Sequence, residues 1–148
     1  MKVKELMTKK PEYATPDMEL VKVAKLMAEH QVGSIPVLEN KDNMKVVGLV
    51  TDRDITTRAV AEGKNPLQMK ASDIMSTPVV TVNEDDDVNE VAQLMEKNMV
   101  RRVPVVDQQG KLCGMVAQAD IALKTTDKTT ADVVQSVSKP TEASSKVK

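Results

Sequence analysis

Two short stretches of the 148-residue chain carry side chains suited to holding a polar ligand. In Val50-Thr51-Asp52-Arg53-Asp54 an apolar strand pattern runs into a helix pattern. Thr51 and Asp54 stand three residues apart at that helix start, so both side chains can face one ligand. A carboxylate there can accept two hydrogen bonds from a ribose diol, and the hydroxyl adds a third polar contact. The same pair also reads as a helix cap, with Thr51 as N-cap and Asp54 as the acid at N3. Local sequence leaves both readings open. The second stretch is Arg101-Arg102, just before Val103-Pro104. Two guanidinium groups at a strand entrance suit phosphate oxygens. A solvated pair on a turn is the alternative.

Catalytic chemistry has little to stand on. His30 is the only histidine, at the polar end of a helical pattern, and no second His or Cys lies at zinc-ligand spacing. Neither a G-x-x-x-x-G-K-[ST] loop nor a G-x-G-x-x-G loop is present, and the chain has only five glycines. The acid run Glu84, Asp85, Asp86, Asp87 reads as a solvated helix start before it reads as a metal site. Cys113 lies in the apolar run Leu112 to Val116 and reads as a small buried hydrophobe. The expectation is a non-enzymatic protein with no catalytic or metal site.

Composition narrows the partners. Charged residues make up 29% and nearly balance, with a formal net charge of -1, which argues against wrapping nucleic acid. No apolar stretch approaches the roughly 18 residues of a membrane span. A single cysteine and a charged N-terminal stretch fit a cytoplasmic protein. With no Trp, no Phe and Tyr13 as the only tyrosine, ten methionines and many aliphatic residues must fill a core.

The elements that would position these residues occur twice. At a shift of 68 residues Met7 falls on Met75, Asp17 on Asp85, Val23-Ala24 on Val91-Ala92, Leu26-Met27 on Leu94-Met95, and Pro36-Val37 on Pro104-Val105. The shift then drops to 66, so Gly48 meets Gly114 and Asp54-Ile55 meets Asp120-Ile121. Each copy opens with an extended segment, near Glu12 to Thr15 and near Val79 to Val82. A helix follows, with Thr15 as N-cap and Pro16 at the first helical position, or with Asn83 as cap. Its inward face is Leu20, Val23, Ala24 and Met27 in one copy and Val88, Val91, Ala92 and Met95 in the other. Two strands come next, over Ile35–Leu38 and Val46–Val50, then over Val103–Val106 and Lys111–Val116. A second helix starts near Asp52 and near Gln118, the first of these ending at Gly63 and Pro66. The expected class is mixed α/β (α+β): two β-α-β-β-α repeats, 1-62 and 71-124, joined by a linker 63-70 and packed with pseudo-twofold symmetry. Beyond them, 125-148 is expected to hold a short helix over 130–137 and a disordered tail over 139–148.

These motifs resemble CBS domains. The run Met75-Ser76, Ala92-Gln93-Leu94-Met95, Val100-Arg101-Arg102-Val103-Pro104-Val105-Val106-Asp107, Gly114-Met115-Val116 and Asp120-Ile121 carries the resemblance in one copy. Met7-Thr8, Ala24-Lys25-Leu26-Met27, Val32 to Val37 and Val47 to Ile55 carry it in the other. The resemblance implies a paired module whose inter-repeat cleft takes adenosine-containing ligands, and hence a regulatory module sensing an adenine nucleotide (AMP, ADP or ATP). It implies that Thr51 and Asp54 hold the ribose and that Arg101 and Arg102 meet phosphate. Backbone around Ile35, Pro36 and Val37 would border the adenine. A second, weaker site would use Asp120 and Ser34, with Arg53 as the nearby cation, because Ala117 replaces the threonine and Gly33-Ser34 replace the arginines. A homodimer and a separate regulated protein are the implied partners. A structural or protein-interaction module without nucleotide, and an S-adenosylmethionine binder, remain as alternatives.

Overall fold

The two periodicities become strands and helices largely where the repeat places them. The structure, a computed structural model, describes residues 1–124, so the expectations for 125–148 lie outside the described residues. In chain order the elements are β1 (Thr8–Lys9), α1 (Leu20–His30), β2 (Ser34–Leu38), β3 (Val46–Thr51), α2 (Asp52–Ile55), α3 (Ala71–Ile74), β4 (Val82–Asn83), α4 (Val88–Asn98), β5 (Arg102–Val106), β6 (Leu112–Ala117) and α5 (Gln118–Lys124). Helix α2 continues as a π-helical stretch, Thr56–Val60, and 3-10 turns lie at Val3–Glu5 and Pro66–Gln68. Gly63 ends the π stretch with φ 71°, its N–H donating to the Val60 carbonyl at 3.1 Å.

These elements gather into two compact units, each assembled from both repeats. A central unit, named for its place in the sequence, comprises residues 12–80 and 110–112; a flanking unit, drawn from either side of it in the sequence, comprises residues 1–11, 81–109 and 113–124. In the central unit β2 and β3 form an antiparallel hairpin with Ile35 opposite Val50 and Val37 opposite Gly48. Ala14 joins the β2 edge, donating to the Pro36 carbonyl at 2.9 Å and accepting from the Leu38 N–H at 2.8 Å. Ser76 closes the β3 edge by exchanging two backbone bonds with Leu49, at 3.1 and 2.9 Å. The flanking unit has the same plan in strand order β1-β6-β5-β4, with Thr8 opposite Met115 and Val82 parallel to Val105. The leader of each repeat therefore completes the sheet of the other.

That exchange explains two matches in the sequence repeat. A Cβ on Gly48 would lie 2.6 Å from Sδ of Met75, and a Cβ on Gly114 would strike Sδ of Met7. Each incoming leader thus lays a methionine over a glycine. The central core joins Leu20, Val23 and Met27 of α1 to Ile35, Val37 and Val50 of the hairpin and to Ala71 and Ile74 of α3. Burial of such aliphatic side chains stabilises by about 1.5–3 kcal/mol each. In the flanking unit Val88, Val91, Ala92 and Met95 of α4 are buried, as are Val103, Val105, Val116 and Ile121.

Three expectations are corrected. Helix α1 starts at Leu20 after Glu19, not at Pro16. Thr15 to Met18 instead close a turn, and the backbone around Glu19 is held extended by Leu20 N–H to Met69 carbonyl (2.8 Å) and Ala71 N–H to Met18 carbonyl (2.9 Å). Helix α4 is capped by Asp87, whose carboxylate accepts from Asn89 N–H, while Asn83 accepts from Asp85 N–H in the turn before it. Ala24 is exposed, because the stripe of α1 is carried by Leu20, Val23 and Met27 alone, with Leu26 half-buried.

Candidate functional site

The junction of β3 and α2 is a reciprocal capping box. Asp54 N–H donates to Thr51 Oγ1 at 3.0 Å, and Thr51 N–H donates to Asp54 Oδ2 at 2.9 Å. The capping reading of this pair is therefore correct as geometry. It does not use up the groups: an ionised carboxylate has about four acceptor positions, and Asp54 Oδ1 has as its ion-pair partner only Arg58, at 3.8 Å, among the described residues. The Thr51 hydroxyl accepts in the box and keeps its own proton to donate. Asp54 is 9% exposed, so the carboxylate sits sheltered at the surface of the central unit. Asp52 and Arg53 are exposed, and the Asp52 carboxylate accepts from Arg53 N–H at 2.9 Å.

Residues placed by sequence at the adenine border lie along β2. Ile35 and Val37 belong to the central core, and the Pro36 carbonyl is taken by Ala14. Ser34, at the start of β2, is buried, and its hydroxyl has no hydrogen-bond partner among the described residues. Gly33 accepts from Asp52 N–H at 3.0 Å, tying the helix start to the entrance of the hairpin.

The flanking unit repeats this corner with different chemistry. Gln118 N–H donates to the Arg101 carbonyl at 2.8 Å, as Asp52 does to Gly33. Ala117 N–H donates to Asp120 Oδ2 at 2.8 Å, but Ala117 offers no hydroxyl in return, so half the box remains. Arg101 and Arg102 are exposed and make no ion pair among the described residues. One corner thus carries a hydroxyl and a sheltered carboxylate, and the other carries two free guanidinium groups.

Sequence reading missed Arg58. It lies one turn beyond Asp54 at i, i+4 spacing, and that spacing was the available signal.

The remaining polar clusters serve the fold. The Lys4 ammonium, hydrogen-bonded to Asp85 at 2.9 Å, holds that carboxyl below its usual range, with the Gln108 amide as a second donor at 2.7 Å. Among the described residues no group of three His, Cys, Asp or Glu is placed to hold a metal ion. Cys113 is half-buried rather than fully buried, its thiol donating to the Val105 carbonyl at 3.5 Å. Burial, with Glu84 and Asp107 nearby, pushes that thiol up to about 11 from 9.0. At pH 8 its thiolate fraction falls about 100-fold, so maleimide labelling of the folded protein is expected to be slower than that of the urea-unfolded chain by about that factor. Equal rates would place the thiol in solvent.

Comparison with known proteins gives consistent matches. Residues 3–60 and 71–124 match the CBS domain family. The protein MK0525 of Methanopyrus kandleri is 44% identical over 107 residues, 72% of this chain; the chain spans only 54% of that relative. The CBS domain-containing protein YhcV of Bacillus subtilis is 38% identical over 82% of this chain and 83% of its own length. Among solved structures, the CBS domain pair of protein MJ0100 in complex with 5'-methylthioadenosine and S-adenosyl-L-methionine is 31% identical, with TM-score 0.73, over 83% of this chain and 94% of that one. No helix among the described residues is long and apolar enough to cross a membrane.

Proposed function

The chain belongs to the CBS domain family, and on that premise we propose that it is a regulatory module that binds an adenine nucleotide: AMP, ADP or ATP. Thr51 and Asp54 hold the ribose, and Arg101 and Arg102, from the other repeat, neutralise phosphate. The observation that carries this reading is the state of Asp54. Its carboxylate is sheltered, is held in place by Thr51, and retains an oxygen that no backbone donor claims. A preset acceptor of this kind meets a diol without a reorganisation cost. The adenosine moiety shared by both ligands of the MJ0100 pair supports the class of ligand. Asp120, facing Ala117 rather than a threonine, makes the weaker site, with Ser34 and Arg53 as its further polar groups. Output passes through a homodimer or a separate regulated protein.

S-adenosylmethionine is the second reading, favoured by that same neighbour. The arginine pair discriminates, since guanidinium groups attract phosphate and repel a sulfonium. A thermal-shift series with AMP, ADP, ATP, adenosine, GTP and S-adenosylmethionine tests both. A ligand at about 100 times its Kd adds about 2.7 kcal/mol of stability, and the adenine nucleotides are expected to raise Tm above adenosine and above GTP. No shift from any adenosine compound at millimolar concentration would leave a module that works by protein contact alone.

A further inference from the structure

We infer that Arg58 is the positioning residue that sets how Asp54 meets a ribose, by tethering that carboxylate to the end of α3. The inference rests on the ligand reading above and adds a residue to it. Arg58 is half-exposed, yet its guanidinium is held at two points. Nε faces Asp54 Oδ1 at 3.8 Å, and Nη1 donates to the Ile74 carbonyl at 2.9 Å. Oδ2 of Asp54 is already fixed by Thr51 N–H at 2.9 Å. Oδ1 is therefore the oxygen left for a ligand, and Arg58 is the cation that orients it.

The tether closes a ring of contacts inside the central unit. From Ile74 the chain passes through Met75, which covers Gly48, to Ser76, which pairs with Leu49. Leu49 lies two residues before Thr51 on β3, and Thr51 is bonded to Asp54. The carboxylate is thus set from both sides: through β3 on one, and through Arg58 and Ile74 on the other. A planar guanidinium has the donors to span both anchors at once. A lysine ammonium is a single point and can serve one of them.

Calorimetric titration of the whole chain with adenosine and with 2'-deoxyadenosine provides the test, on the native protein, Arg58→Ala and Arg58→Lys. The native protein is expected to prefer adenosine. Arg58→Ala should weaken adenosine by about tenfold, as Asp54 loses its orientation and the hydrogen bond to the 2'-hydroxyl is weakened, while leaving 2'-deoxyadenosine nearly unchanged, so that the preference collapses. Arg58→Lys should restore only part of it. If Arg58→Ala proves unfolded by circular dichroism, Arg58→Gln, which keeps a donor for Ile74, reports the same ratio. A variant whose two affinities fall together, with the preference intact, shows Arg58 to be merely structural and overturns the inference while sparing the ligand reading. Full rescue by lysine overturns the tether to Ile74. A native protein that binds neither nucleoside removes the ligand reading itself, and the inference with it.

Discussion

With Arg101→Ala and Arg102→Ala combined, the chain is expected to bind AMP, ADP and ATP no more tightly than adenosine. Hydrogen bonds to charged groups contribute roughly 1.5–3 kcal/mol each. Both arginines are exposed in the described structure, so the lower end applies, about tenfold in affinity for each guanidinium engaged. Their removal costs little stability, since neither side chain is part of an ion pair among the described residues, and the backbone bond from Gln118 to the Arg101 carbonyl is kept. Adenosine affinity should stay near its native value, because the proposed ribose contacts, Thr51 and Asp54, are untouched. Titration at two salt concentrations checks the assignment. Native nucleotide affinity should fall with salt, and that of the double variant should be nearly flat. An unchanged preference for nucleotide over adenosine would put phosphate elsewhere.

The second large effect concerns stability. Gly114→Ala is expected to destabilise the protein by about 1–3 kcal/mol, the cost of forcing a methyl into a packed site. The added Cβ would strike Met7 Sδ and stand 2.9 Å from the Thr8 carbonyl oxygen. A side chain can swing away, but that carbonyl belongs to β1, which pairs with β6 at this point. Gly48→Ala is expected to cost less, because there all three nearest atoms belong to the Met75 side chain. Urea unfolding of the two variants measures the difference. Equal losses, or a larger one at Gly48, would mean that the leader at Met7 shifts freely.

The sequence repeat made the hairpins and the main helices legible because side-chain periodicity decides them locally. Strands Val46–Thr51 and Leu112–Ala117 fall within a residue of their expected ends, as do the glycine stop at Gly63 and the buried face of α4. The start of α1 was not legible. Thr15-Pro16-Asp17 has every local mark of a helix start, but backbone pairing with Met69–Ala71, some fifty residues on, holds the next residues extended. Such long-range competition leaves no trace in a window. The exchange of leaders escaped for a related reason. Aligning Met7 with Met75 and Gly48 with Gly114 shows that the copies are alike, but not which methionine lies over which glycine. At the ligand corner, Thr51-x-x-Asp54 and the arginine pair were visible as motifs. The burial of Asp54 was not, because it depends on the packing around α2 and on a guanidinium at i, i+4.

The exchanged leaders also bear on how such a chain can be divided, whether by a protease or in the course of descent. A cut anywhere in 63–70 parts the two copies of the sequence without yielding two intact folds. Each fragment keeps a leader that fits the other's sheet and exposes a strand edge, at Leu49 or at Met115, where a leader is missing. Open edges of this kind seek another chain. A one-copy chain with this layout can complete both sheets by trading leaders with a twin, a swapped dimer. Joining two copies end to end makes that trade intramolecular and lets the two corners differ, one with the Thr51 hydroxyl and the other with Arg101 and Arg102.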